Sequence, residues 1–205
     1  MTMHITIRPA RESDHPATEN LTRDTFWNLY APGCSEHLVL HRLRNGGGYL
    51  PALDIVALDG DTLVGHIISS LAFIIDTDGQ QHEVLCAGPF SVHPAYQKQG
   101  IGSQLMVHTI EEACALAYRA IILFGNPQYY HRFGYRNAQD YSITTKDGLN
   151  FDPFMALELH EHGLTDVHGR FIADAAFDVT PADVLEFDAA FPFKEKLVTE
   201  TQFKH

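Results

Sequence analysis

Val92-His93-Pro94-Ala95-Tyr96-Gln97-Lys98-Gln99-Gly100-Ile101-Gly102 is the stretch on which the reading of this chain turns. Before it, residues 84–92 form an apolar run that reads as a strand. After it, Ile101, Leu105, Thr109, Ile110, Ala113, Leu116 and Ala117 recur at helical spacing. The stretch is therefore a strand-to-helix junction. Two glycines two residues apart let the backbone pass close to a bulky anion. The unpaired N–H groups of the helix start point at that anion, and the helix dipole favours its charge. Lys98 adds a cation at the rim. The chemistry this arrangement suits is a pyrophosphate cradle made mostly of backbone.

Two rival phosphate loops are excluded by their missing parts. A Walker loop ends in Gly-Lys-Ser/Thr, whereas Gly102 is followed by Ser103-Gln104. A dinucleotide fingerprint needs a third glycine where Leu105 stands, and no acidic residue ends a following strand. Gly46-Gly47-Gly48 lacks a following Lys-Ser or Lys-Thr and reads as a turn. Gly88-Pro89 interrupts the strand just upstream of the junction. Proline cannot donate to a ladder and an internal glycine marks a bulge, so a defect is expected there.

Outward from the junction the chain reads as one α/β domain with a mixed sheet. Met1-Thr2-Met3-His4-Ile5-Thr6-Ile7-Arg8 alternates like a strand and stops at Pro9. Ser13-Asp14 and Ser35 are helix caps, the second leading to about Arg44. Residues 53–58 and 63–75 are joined by Asp59-Gly60-Asp61, a hairpin signal. Residues 120–124 and 154–159 read as further strands. Gly125-Asn126-Pro127 turns into a short helix stopped by Gly134. Residues 1–159 form the expected domain. Residues 160–205 are acidic and partly aromatic, and read as an extension packed on it.

Composition bounds the function. The 205 residues are 45% hydrophobic, ordinary for a globular core, and no apolar stretch reaches the length of a membrane span. No signal peptide is read at the N-terminus. A net charge of −12 repels phosphate backbones, so neither nucleic acid nor membrane is an expected partner. Cys34, Cys86 and Cys114 are odd in number and widely spaced, which implies free thiols in a cytoplasmic protein. Of the 13 histidines, His160-Glu161-His162 and His37-x3-His41 come nearest to ligand spacing, without a third ligand, so no metal is expected.

Gln97-x-x-Gly100-x-Gly102 resembles the acetyl-coenzyme A motif of the GNAT N-acetyltransferase superfamily, Gln/Arg-x-x-Gly-x-Gly/Ala after a bulged strand. Val92-x-Pro94 and Ile101 are also typical. Asn126-Pro127-x-Tyr129-Tyr130-x-Arg132-Phe133-Gly134-Tyr135 is similar to the second part of that family's core, and the likeness runs from about Ile5 to Ala138. Phe26-Trp27-Asn28, Pro32-Gly33-Cys34 and Glu36-His37-Leu38 resemble the YhbS-like subgroup of predicted acetyltransferases.

The resemblance implies a GNAT fold with a bulged central strand and helices on both faces. It implies acetyl transfer from acetyl-CoA to the primary amine of a small molecule or peptide. Backbone groups of Phe90, Ser91 and Val92 would pair with the pantetheine arm as an added strand. Gln97, Lys98, Gln99, Gly100, Ile101, Gly102 and Ser103 would hold the pyrophosphate. The bulge would open a slot between its strand and residues 120–124. Asn126 would bond the arm from the other side, although it equally suits a turn start before Pro127. An N–H beside the bulge would polarise the thioester carbonyl, and Tyr130 would protonate the leaving thiolate. Tyr129 is read as pocket wall. For the base, Glu83, His37, His41, Glu36 and His66 stay open. A homodimer is compatible with this reading, and so is a non-catalytic acyl-CoA sensor.

Overall fold

A computed structural model of the chain describes residues 4–200 and 202; Met1, Thr2 and Met3 of the alternating run lie outside the described residues. The strands are β1 Ile5–Pro9, β2 Asp54–Asp59, β3 Thr62–Ile75, β4 Gln81–Val92, β5 Ala120–Phe124, β6 Arg136–Asn137, β7 Ile143–Thr144, β8 Phe154–Glu158 and β9 Gly169–Ile172. The helices are α1 His15–Phe26, α2 Glu36–Arg44, α3 Ile101–Ala115, α4 Pro127–Tyr130 and α5 Pro181–Asp188. All nine strands join one mixed sheet, with the main order β1-β2-β3-β4-β5-β8-β6. Pro9 is tolerated because it ends an edge strand.

Helices cover both faces. Ile101, Leu105, Met106 and Ala113 of α3 pack on Ile55, Ala57, Ile67, Leu85 and Ile121. On the opposite face Val39, Leu40 and Leu43 of α2 pack on Ile68. β3 is long enough to serve two partners along one edge. Its first half pairs with β2, and beyond β2 its Phe73, Ile74 and Ile75 pair with β9. Residues past 160 thus contribute a strand to the sheet. No periodicity announced it, because four residues are too few to set a pattern against the surrounding loop.

The expected bulge is present. Ile67 faces Phe90 and Ser69 faces Ala87, so Gly88 and Pro89 together stand opposite Ile68. Gly88 has φ +134°, a conformation that suits glycine, and the Gly88–Pro89 peptide is cis. The consequence lies on the other edge of β4. Its parallel ladder with β5 consists of Leu85 with Ile121 and Cys86 with Ile122. Beyond Cys86 the two strands part, and a wedge opens towards the start of α3.

Candidate active site

One wall of the wedge is the loop from β4 to α3. His93 donates its backbone N–H to the carbonyl of Val64 at 2.9 Å, which ties the loop to β3. The His93 ring accepts from the Ala95 N–H at 3.2 Å. Gln97 Nε2 donates to the Val92 carbonyl at 3.0 Å and Gln99 Nε2 to the Ala95 carbonyl at 2.8 Å. The two glutamines therefore brace the loop from within. Lys98 (φ +60°) and Gly100 (φ +87°) both take left-handed conformations, which wind the chain so that successive N–H groups face one side. None of the N–H groups of Lys98, Gln99, Gly100, Ile101, Gly102 or Ser103 has a backbone acceptor outside the helix; the Gln104 N–H is the first to find one, on Gly100. α3 begins at Ile101 with Gly100 as its N-cap.

The two glycines are needed for different reasons. A Cβ on Gly100 would meet open space, so its demand is purely the positive φ. A Cβ on Gly102 would stand 2.7 Å from the Tyr129 hydroxyl and 3.2 Å from the Phe90 ring. Tyr129 thus lies directly on the first turn of α3, with the Arg132 guanidinium stacked 3.9 Å above its ring centroid. Its hydroxyl packs on the helix start beside Gly102.

The other wall is the turn after β5. Asn126 caps α4, its Oδ1 accepting from the Gln128 N–H at 3.0 Å. The cap role is therefore filled by the oxygen, and the amide nitrogen is left over. Tyr130 folds back across Gly125 so closely that a Cβ there would lie 2.2 Å from its ring. Tyr129 and Tyr135 meet the same ring edge-on, with centroids 5.0 and 5.6 Å away. Burial, then Tyr129 and Tyr30, push the Tyr130 phenol well above its usual range, so it stays protonated at neutral pH. Its hydroxyl has no hydrogen-bond partner among the described residues, yet it is not one of the sealed, unpaired polar atoms. Sequence reasoning missed Gly125 as a packing requirement. A glycine ahead of Asn-Pro looks like ordinary turn chemistry.

The third side is the loop between α1 and α2, which carries Tyr30 and ends at Glu36. Burial holds the Glu36 carboxyl above the usual range, and Glu36 in turn helps burial raise Tyr30. The other candidate bases stand elsewhere. Glu83 is exposed and faces Phe73, and five residues of strand, roughly 17 Å, separate it from Gly88. His41 pairs with Glu19 at 2.9 Å. His66 is fully buried and bonds Asp54 at 2.7 Å, while Arg44 grips the same carboxylate at 2.8 Å. Burial lowers the His66 imidazole. It raises Asp54 too, but the bonds from His66 and Arg44 outweigh that and hold the carboxyl well below its usual range. The reading consistent with both is a neutral His66 donating to an ionised Asp54, a sealed structural network.

His37 is likewise occupied. Its Nδ1 lies 3.4 Å from the Cys34 sulfur and its Nε2 3.3 Å from Asp188. This has the outline of a Cys-His-Asp relay, but burial pushes the thiol up to about 12 and the imidazole down to about 4. Both stay neutral, and Asp188 is spoken for by Arg23 at 2.6 Å. The cluster anchors α5 to α1 and α2.

A cavity of about 320 Å³, lined by Tyr141, Glu158, Leu164 and His168 among others, gathers none of these groups. A slot open along one side is what a long, thin ligand arm requires.

A bulged strand, a splayed parallel pair and a cradle of free N–H groups define the class. Residues 54–137 match the family described as the acetyltransferase (GNAT) domain. Its relatives include the uncharacterised N-acetyltransferase YhbS of Escherichia coli K12. The two are 26% identical over 164 residues, 80% of this chain and 92% of YhbS. The fold is similar to the crystal structure of E. coli YhbS in complex with CoA. That match has a TM-score of 0.77 at 23% identity, covering 87% of this chain and 94% of the other. It is also similar to a GNAT acetyltransferase from Brucella melitensis in complex with acetyl-CoA, with a TM-score of 0.70 at 25% identity. That match covers 86% of this chain and all of the other.

Proposed function

We propose that this protein is an N-acetyltransferase that moves the acetyl group of acetyl-CoA to a primary amine on a small molecule or peptide. The observation that carries the reading is the row of unpaired N–H groups at residues 98–103, set at the mouth of a wedge that a bulge has opened. The named ligands of the two structural relatives, CoA and acetyl-CoA, support the same occupant. The pyrophosphate would lie on Lys98, Gln99, Gly100, Ile101, Gly102 and Ser103. Gln97 would hold the loop in shape. The pantetheine arm would run along Phe90, Ser91 and Val92, with the Asn126 amide nitrogen opposite.

The amine nitrogen attacks the thioester carbonyl, the C–N bond forms and the C–S bond breaks. An N–H beside Gly88-Pro89 stabilises the oxyanion. The thiolate takes its proton from the Tyr130 hydroxyl, and the amine loses its own to a base. Glu36 is the carboxylate best suited to that part, because burial brings it nearer neutrality and it faces the loop beside Tyr130. A phenol held above its usual range is a reluctant donor to an ordinary thiolate. The transfer is to the sulfur as its bond to carbon breaks, when its proton affinity is rising. Residues 160–205 act as an extension of the 1–159 domain, and three free cysteines suit a cytoplasmic site.

The test is turnover of acetyl-CoA with a panel of primary amines, followed by thiol release. Binding of acetyl-CoA with no thiol release for any amine would favour a sensor over an enzyme.

A further inference from the structure

The tail that follows α5 runs along the loop between α1 and α2. Asn28, in that loop, sits at φ +60°. Its Oδ1 accepts from the Gly33 N–H at 2.8 Å and from the Leu197 N–H at 3.1 Å. Its Nδ2 donates to the Glu195 carbonyl at 3.0 Å, which also accepts from Trp27 Nε1 at 2.9 Å. The Asn28 carbonyl accepts from Thr199 Oγ1 at 3.0 Å and from Gln202 Nε2 at 3.1 Å. Lys194 pairs with Asp24, and the Lys196 stem lies against Gly33, where a Cβ would approach it to 3.0 Å. One loop residue thus joins four tail residues more than 160 positions away. The tail has no regular secondary structure to hold it otherwise.

The same loop carries Tyr30 on the side of Tyr130. If a thioester occupies the wedge, the loop is its outer cover, and the tail fastens that cover. We propose that residues 194–200 are a strap that closes the acceptor side of the thioester slot, with Asn28 as its clasp. Asn28 is a positioning residue: it touches no reacting atom, and it acts by keeping the loop shut against water. This rests on acetyl-CoA being the occupant of the wedge. A cover of this kind protects a reactive thioester from hydrolysis until an amine displaces it.

Asn28→Gly separates clasp from backbone. Glycine takes φ +60° without cost, while the three side-chain bonds are lost. Asn28→Asp keeps the Oδ1 bonds to Gly33 and Leu197 and loses the one to Glu195. Two readouts are needed on the full chain: amide hydrogen exchange of residues 194–200, and release of thiol from acetyl-CoA in water with no amine. In Asn28→Gly the tail amides should exchange at least tenfold faster, and hydrolysis should rise severalfold at unchanged acetyl-CoA affinity. Asn28→Asp should restore most of both. Faster tail exchange with parental hydrolysis would overturn the strap, as would parental exchange. If the parent protein does not bind acetyl-CoA in calorimetry, the proposed function fails first, and the exchange result still reports whether Asn28 holds the tail.

Discussion

Residues 88–103 build one side of the site from a single run of chain, mostly through backbone groups and two glycines. The facing side draws on residues 23–37 and 188–200, joined by side chains far apart in sequence. The first side depends on φ angles and on N–H groups left unpaired. The second depends on paired charges and amides, with the Arg23–Asp188 pair buried beneath the more exposed Asn28 contacts. A backbone site tolerates change in most side chains around it and fails at a few positions. A side-chain assembly fails wherever a buried partner is removed. The contrast predicts that variants will sort into two kinds, those that lose the cofactor and those that lose the fold or the chemistry.

The largest effect belongs to neither side but to the sealed network of Arg44, Asp54 and His66. Arg44→Met leaves the Asp54 carboxylate with His66 and Tyr49 but no cation. Breaking a buried pair in this way costs about 3–5 kcal/mol. Urea unfolding should show that loss, while the fraction still folded binds acetyl-CoA like the parent. Equal loss of cofactor affinity in folded protein would mean that the network also shapes the site.

Tyr130→Phe should come next. It keeps the ring over Gly125 and removes only the hydroxyl. Acid assistance is worth roughly 10²–10⁴-fold, and the lower end is expected because the thiolate is a fair leaving group unaided. Turnover should fall about a hundredfold with acetyl-CoA affinity nearly constant. The same change at Tyr129 should do less to turnover, since its hydroxyl lies on α3. Reduced affinity with unchanged turnover in Tyr130→Phe would move Tyr130 into the binding wall.

The pH dependence of stability sharpens the comparison further. The folded-state pKa of His37, about 4, is below its ordinary value near 6.5. Below 6.5 the unfolded chain takes up a proton that the folded chain refuses. The contribution of this group is thus complete above 6.5 and declines as pH falls from 6.5 towards 4. On the order of 2–3 kcal/mol is at stake. Chemical unfolding at pH 7 and pH 4.5 measures it, and His37→Gln should flatten the slope without touching the cradle. A slope unchanged in that variant would place the titrating group elsewhere.

The smallest effect is at Gly100. Its Cβ position is empty, so Gly100→Ala costs only the left-handed conformation, about 1–2 kcal/mol. Cofactor affinity should fall around tenfold, because the cradle alone bears that strain.

These differences also explain what the sequence could and could not reveal. The bulge at Gly88-Pro89, the helix start at Ile101 and the strand Ala120–Phe124 follow from proline, glycine and periodicity acting within a few residues. The GNAT likeness sits in those same segments. Glu83 shares the bulged strand, but five residues of extended chain separate it from Gly88, and sequence alone does not say which end of the strand faces the site. The Asn28 contacts, the Asp188 anchor and the pairing of β9 with β3 depend on partners about 95 to 175 residues away. No local pattern specifies such partners, and an asparagine in a loop gives no sign of them.

The central claim is that backbone N–H groups at residues 98–103 hold the pyrophosphate of acetyl-CoA. Calorimetric titration of acetyl-CoA into the parent protein and Gly102→Val tests it most directly. The added side chain would strike the Tyr129 hydroxyl and the Phe90 ring where the cradle begins. Overpacking of this kind costs about 1–3 kcal/mol, so affinity should drop roughly ten- to hundredfold while the fold is kept. Unchanged affinity in Gly102→Val, or preferential binding of NAD or ATP by the parent, would contradict the account.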